Sequence, residues 1–315
     1  MIIGAYEMES PLMNAGGVVK TIEDVRMMAQ TGVGAILAGS YTLEPRVGNS
    51  PNGERVYYHD EVTGITYNSL GMPNNGIAEV AKELPEMISI AHDLGKPFIL
   101  NIAPVTSNPA AEIAVMLGIL EDAGIRELDG LELNAGCPNV VTADGGRHEL
   151  LSHHTDLLGE TVSEIIDVSN RGMRLGSLMV RISPFRDKSD ATNIAKLLVD
   201  VPVDFVSAFN TFPGGIPVDS VGNNVLQVPG GAGGQSGAGK ALLAEEQTLW
   251  LVEARDHAGI GFEILGSNGI QNARSMKSRM DIGASAVSLT TLFYEARSWG
   301  SAVSNLLDNY ADLIV

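Results

Sequence analysis

PFILNIAP, residues 97–104, is a short and nearly unbroken apolar run closed by a proline at each end. A strand with one wet face alternates apolar and polar side chains, whereas a continuous run marks a strand covered on both faces. A helical pattern lies before it, 77–94, and another after it, 109–124. A doubly covered strand between helices is the βαβ unit of a parallel sheet.

The unit repeats in both directions. Upstream stand GAILAGS (34–40) and PLMNAGGVV (11–19), the latter leading to Thr21, a helix N-cap with Asp24 at the third helical position. Downstream come GLELNAGCP (130–138), helix 155–171, LMVRISP (178–184), helix 190–199 and DFVSAFNT (204–211). Helix 241–258, FEILGSNGI (262–270), helix 271–281, AVSLTT (286–291) and helix 292–310 complete the chain. Eight such units in 315 residues predict one domain, 1–315, folded as a (β/α)8 TIM barrel. A doubly wound sheet is the competing arrangement. Two stretches are longer than connections need to be, and they are read as insertions after strands 2 and 6: the polar, aromatic-bearing 55–76, and VPGGAGGQSGAG (228–239).

Composition narrows the function. The chain is 44% hydrophobic, enough for a sizeable core, and carries a net charge of −18 from 38 acidic and 20 basic residues. That field repels phosphate backbones, and no Lys/Arg-rich run offsets it, so nucleic acid is not an expected partner. No signal-peptide pattern opens the sequence and no apolar run approaches the ~18 residues a bilayer requires. A single cysteine allows no intrachain disulfide and no four-cysteine metal site, consistent with a reducing, cytoplasmic setting.

A barrel places its chemistry at the C-terminal ends of the strands. Asn14, Asn101, Asn134, Cys137, Asn210, Asn268, Thr290 and Thr291 all fall at or just past strand runs. Asparagine also suits turns, which accounts for part of this pattern but not the whole. GSNGI (266–270) and the Thr290–Thr291 pair stand where helices start after strands 7 and 8, the common phosphate position of such barrels. Other motifs fail. GQSGAGKA (234–241) has P-loop spacing, but Ala241 stands where a hydroxyl should hold magnesium, and no G-x-G-x-x-G or G-x-S-x-G occurs. HELLSHH (148–154) lacks a recognised ligand spacing and reads as a solvated loop and helix start, so no metal is expected.

Cys137 is the remaining candidate. A lone cysteine is ordinarily a small buried hydrophobe. Here NAGCPN (134–139) sets an amide three residues before the thiol and another two after it, and Pro138 stiffens the loop. With no charged neighbour in sequence, the thiol is expected near its ordinary pKa of ~8.5, suited to accepting a proton. The flanking amides can bind both edges of a flat polar heterocycle.

TLEPRVGN, NSLGMPNNG, LELNAGCPNV, FNTFPGG, GGAGGQSG and GSNGI together resemble the soluble, class 1 dihydroorotate dehydrogenase family, over nearly the whole chain. The resemblance implies an FMN-dependent barrel of pyrimidine biosynthesis, with Cys137 taking the C5 proton of dihydroorotate while hydride leaves C6 for flavin N5. It places the ring of dihydroorotate or orotate against Asn68, Asn134, Asn139, Asn210 and Thr211, and the carboxylate against the backbone of Leu70, Gly71 and Met72. It assigns Ala15, Gly16, Gly39, Ser40, Asn101 and Asn134 to the flavin. Gly233, Gly234, Asn268, Gly269, Thr290 and Thr291 would take its phosphate and ribityl chain.

Two positions depart from the family pattern. A family lysine at the end of strand 2 corresponds to Gly39, and a second, on strand 5, to Arg181. Arginine keeps the cation, whereas Gly39 keeps nothing unless Arg46 or Arg55 reaches in. That leaves open an alternative: a related FMN-dependent reductase or oxidase acting on another dihydropyrimidine or activated alkene. A barrel binding a phosphorylated metabolite without redox chemistry is the third reading. Resemblance also implies a homodimer, with an iron–sulfur partner subunit as the other arrangement found in the family, and leaves the electron acceptor (fumarate, NAD or oxygen) open.

Overall fold

The computed structural model describes residues 1–140 and 149–314. Eight short parallel strands form its centre: β1 (Leu12–Asn14), β2 (Ile36–Tyr41), β3 (Phe98–Ile102), β4 (Gly130–Asn134), β5 (Leu178–Ile182), β6 (Phe205–Ala208), β7 (Glu263–Gly266) and β8 (Ala286–Leu289). Each lies beside its neighbours in sequence, in the order β1-β8-β7-β6-β5-β4-β3-β2. The ring closes through a parallel bridge between Met13 and Ala35. Around it run α1 (Ile22–Ala29), α2 (Ile77–Asp93), α3 (Pro109–Asp122), α4 (Thr155–Arg171), α5 (Lys188–Asp200), α6 (Ala241–Ala258) and α7 (Ala273–Asp281). This is the expected barrel rather than the doubly wound sheet.

The strand runs look continuous because both of their faces are dry. In β3, Phe98, Leu100 and Ile102 join the outer core under the helices, while Ile99 joins a separate inner core with Met13, Leu37, Met179, Phe205, Leu265 and Ala286. One residue pair further along the strands, the inward positions turn polar: Asn101, Glu132, Arg181, Ser207 and Ser288, all buried. The barrel axis therefore carries an apolar N-terminal layer and a polar layer beneath the mouth. At the apolar end a short hairpin, Ile2–Ile3 with Tyr6–Glu7, plugs the opening. Tyr6 stacks on Phe205 at 5.5 Å between ring centroids.

Asn14 belongs to the wall, not to a polar site. It is fully buried, its Nδ2 donates to Leu37 O at 2.6 Å, and its Oδ1 accepts from Leu37 N at 3.1 Å. These two bonds stitch β1 to β2 where the ladder is thin.

Strands were not expected within the two long connections. Tyr57–Asp60 and Ile65–Asn68, between β2 and α2, pair with Gly233–Ser236 and Phe212–Gly215, between β6 and α6, in one four-stranded antiparallel sheet. This sheet overhangs the mouth. Its glycine-rich strand shows no strand propensity, yet the lack of side chains is what admits it: a Cβ on Gly233 would stand 2.6 Å from Asn68 O. The final helix also differs from the expected 292–310. It breaks into α8 (Thr291–Glu295) and α9 (Trp299–Ile314), with extended backbone at Ala296, and Trp299 Nε1 donates to Phe293 O at 3.0 Å across the break.

Candidate active site

The polar end of the barrel opens into a cavity with about 1090 Å³ of space not filled by atoms, open solvent at its mouth included. Loops following all the strands except β3 and β5 contribute to its lining, and β5 supplies Arg181 from the strand itself. Gly136 lets the β4 loop lie flat on β5, since a Cβ there would come 2.6 Å from Ile182 C. Cys137, next in the chain, faces the cavity and packs beside Met72, Ala103 and Val140. Burial pushes its thiol above the ordinary value; the Asn139 N–H and the charges of Arg46, Arg181 and Lys20 pull in the opposite direction. The unperturbed acidity expected from sequence is corrected accordingly, because the cations that surround the sulfur, and the protein that buries it, come from other strands.

Four amides converge around that thiol. Asn139 Nδ2 donates to Asn68 Oδ1 at 2.8 Å, joining the β4 loop to the overhanging sheet. Asn210, past β6, donates to Asn134 Oδ1 at 3.1 Å, and Asn134 Nδ2 donates to Ser40 Oγ at 2.8 Å. Gly234 N donates to Asn139 Oδ1 at 3.1 Å. Each amide is thus oriented by a neighbour and still presents a polar edge to the cavity. Leu70, Gly71, Met72 and Thr211 lie in the same wall.

The opposite half of the cavity is built by Gly16, Ser40, Arg181, Asn268, Gly269, Thr290 and Thr291. Several buried polar atoms around the cavity have no partner among the described residues: Arg181 Nη1, Asn268 Oδ1, Thr211 Oγ1 and Ser288 Oγ. Buried polar atoms are nearly always paired, so a set of orphans around one cavity fits a polar ligand such as FMN. Arg181 donates to Phe209 O at 3.3 Å and is pulled below its ordinary value by burial, with Glu132 and Cys137 opposing. Arg279, buried in α7, holds the β7 loop from behind by donating to Ser267 O and Asn268 O. Sequence gave no sign of that support.

Five residues assigned by resemblance stand outside the cavity wall. Ala15 is a ladder residue donating to Leu289 O at 2.8 Å. Asn101 lies one layer deeper and donates to Glu132. Gly39, at φ +131°, packs against Asn101 O, which a Cβ would meet at 2.3 Å. Gly233 and Gly234 back onto Asn68 and Thr211, while Ser236 and Gly237 of the same segment reach the cavity.

Lys20 is the residue that sequence reasoning missed. Neither Arg46 nor Arg55 lines the cavity, but Lys20 does, with its Nζ donating to Pro73 O at 2.6 Å. No carboxylate is among the described lining residues, although the chain carries 38. The cavity is a cationic site in an anionic protein. Gly233–Ser236 is a sheet strand and Lys240 sits over the Phe212 ring, so 234–241 forms no phosphate loop. Among the described residues no His, Cys, Asp and Glu group could hold a metal; His148 lies outside them.

Residues 2–310 match the family model described as dihydroorotate dehydrogenase. Dihydroorotate dehydrogenase (fumarate) of Trypanosoma brucei brucei is 30% identical over 238 residues, covering 73% of this chain and 69% of that one. Dihydroorotate dehydrogenase A (fumarate) of Lactococcus lactis subsp. lactis is 26% identical over 298 residues, 92% of this chain and 86% of that one. The catalytic subunit of dihydroorotate dehydrogenase B (NAD(+)) from Methanopyrus kandleri is 29% identical over 261 residues, covering 82% and 74%. The crystal structure of a ligand-free DHODH from Eimeria tenella shares the fold, with a TM-score of 0.76 at 19% identity over 100% of this chain and 87% of that one.

Proposed function

The chain belongs to the dihydroorotate dehydrogenase family, and from that membership we propose that it oxidises dihydroorotate to orotate with FMN held across the barrel mouth. The observation that carries the reading is the meeting of Cys137 with Asn68, Asn134, Asn139 and Asn210 in one cavity that also contains Lys20 and Arg181.

FMN, when bound, supplies the two-electron acceptor that takes hydride from C6 of the substrate. Arg181, whose Nη1 has no partner among the described residues, would hold the pyrimidine edge of the flavin; Gly16 and Ser40 would meet its ring. Asn268, Gly269, Thr290 and Thr291 would receive the ribityl chain and phosphate. Cys137 acts as its thiolate, takes the C5 proton and ends as the neutral thiol, a general-base role. The amides bind the N–H and C=O groups around the ring, fixing C5 over the sulfur, an orienting effect that supplies part of the rate. Net charge far from zero repels an anionic substrate at long range, and the local cations reverse that field at the mouth.

Fumarate and NAD both occur in the names of the relatives, and the acceptor of this chain is to be read from which compound reoxidises the reduced protein. A homodimeric, cytoplasmic enzyme is part of the proposal; no described helix is long and apolar enough to cross a membrane.

Purified protein should be yellow, and orotate should perturb its flavin bands. Colourless protein that takes up no added FMN sinks the reading. The second reading, another dihydropyrimidine or an activated alkene, has its motive in the bare Gly39; flavin that responds to such a ligand and not to orotate would favour it.

A further inference from the structure

The segment after β1 does not simply leave the barrel. Gly17 N donates to Gly39 O at 2.6 Å, Gly39 N donates to Val19 O at 2.9 Å, and Val19 bridges Ala38 in parallel. Residues 17–19 thereby lie as an added edge along the end of β2, and Tyr41 fixes the next residue by donating to Lys20 O at 2.9 Å. Lys20 is delivered to the cavity by this pairing, beside a position, Gly39, where the packing leaves no room for a side chain.

The ammonium is placed without a counter-charge. Among the described residues Lys20 forms no ion pair: Glu23, the nearest acid in sequence, pairs with Arg26, and Asp24 directs one carboxylate oxygen to the backbone N–H groups of Lys20 and Thr21. The Nζ contact at Pro73 O sets the charge beside the turn Leu70–Pro73. In that turn Gly71 and Met72 both have left-handed backbone, φ +75° and +55°. Among the described residues the N–H groups of Leu70, Gly71 and Met72 donate to no protein acceptor. Arg46 Nε holds the turn from outside by donating to Gly71 O at 3.1 Å. Successive free N–H groups in a turn form an anion-binding concavity. Adding an ammonium makes it a carboxylate site.

We infer that Lys20 is the specificity-determining cation of this cavity: with the N–H groups of Leu70–Met72 it receives the carboxylate of the substrate ring. The inference rests on the dihydroorotate reading and names the residue that would distinguish that substrate from a ring lacking the acid group. A charge-assisted bond at a part-buried site discriminates by roughly tenfold or more.

The test compares orotate with uracil, the same ring without the carboxylate, by titrating the flavin bands of the FMN-loaded protein. Wild type should bind orotate at least tenfold more tightly than uracil. Lys20→Gln should lose most of that margin through weaker orotate binding, with uracil affinity and flavin content unchanged, and Lys20→Arg should restore part of it. A Lys20→Gln protein that keeps the full margin overturns the inference while leaving the substrate reading intact. A wild-type flavin that responds to neither ring overturns the substrate reading, and the role of Lys20 falls with it. Should Lys20→Gln fail to fold, Lys20→Met and Lys20→Arg decide the same margin.

Discussion

Asn101 donates its side-chain N–H to the carboxylate of Glu132, directly opposite it in the β3–β4 register, inside a barrel where both residues are fully buried. Ser207 donates to the other carboxylate oxygen, and Arg181 faces the group from β5. Burial pushes Glu132 above the usual carboxylate range against the pull of these three partners. Glu132→Ala would strand Arg181 as an uncompensated buried charge, at a cost of about 3–5 kcal/mol. Glu132→Gln keeps one acceptor oxygen and the side-chain volume but likewise removes the charge facing Arg181, so it should also destabilise, by less than alanine. With a raised folded value, Glu132 binds its proton more readily in the folded state than in the unfolded one. Its contribution to stability therefore falls as pH rises through the window above the unfolded value. The glutamine variant should gain on wild type from acid to neutral pH. Urea midpoints across that range check the sign.

Asn14→Ala removes both bonds to Leu37 and leaves an N–H and a carbonyl unpaired in the dry wall between β1 and β2. Each buried group left unpaired costs about 1–3 kcal/mol, so the melting temperature should drop markedly. The side chain is outside the cavity wall, and turnover measured well below the transition should stay within about twofold of wild type. A large loss of turnover without a loss of stability would return Asn14 to the site.

The strands were legible because every one is dry on both faces, and the site because its amides and thiol fall at strand ends. What escaped did so for physical reasons. Gly233–Ser236 is admitted to the overhanging sheet by absent side chains, which leave no propensity to read. Lys20 lies six residues beyond β1, and only its neighbours' pairing with β2 turns it toward Cys137. Asn14 resembles a site residue because a side chain that substitutes for the ladder has the same chemistry as one that binds a ligand.

Cys137→Ala should lower kcat by about 10²–10⁴-fold, the usual worth of a general base. Flavin should stay bound, because the residues assigned to its ribityl chain and phosphate, Asn268, Gly269, Thr290 and Thr291, are other members of the cavity lining. Single-turnover reduction by dihydroorotate isolates the step. Undiminished reduction would remove Cys137 from the chemistry.

The pH profile separates the two titrating groups. Burial lowers Lys20 to about 8, with Cys137 and Asp24 opposing, while burial raises the Cys137 thiol. A carboxylate bound by the ammonium stabilises the charged form, so binding holds a proton that the empty site releases above pH ~8. The orotate Kd should be flat below pH ~7 and then climb toward tenfold per unit above ~8, as expected for one lost proton. The reactive thiolate behaves oppositely, its fraction growing with pH up to and beyond the ordinary thiol range. At saturating substrate kcat should keep rising, whereas kcat/KM should flatten above pH ~8, where the gain in thiolate cancels the loss of ammonium. Lys20→Gln should abolish the flattening, and kcat/KM of the variant should follow the thiolate alone from a lower starting value. Parallel profiles in wild type and variant would show that the alkaline limb belongs to another group.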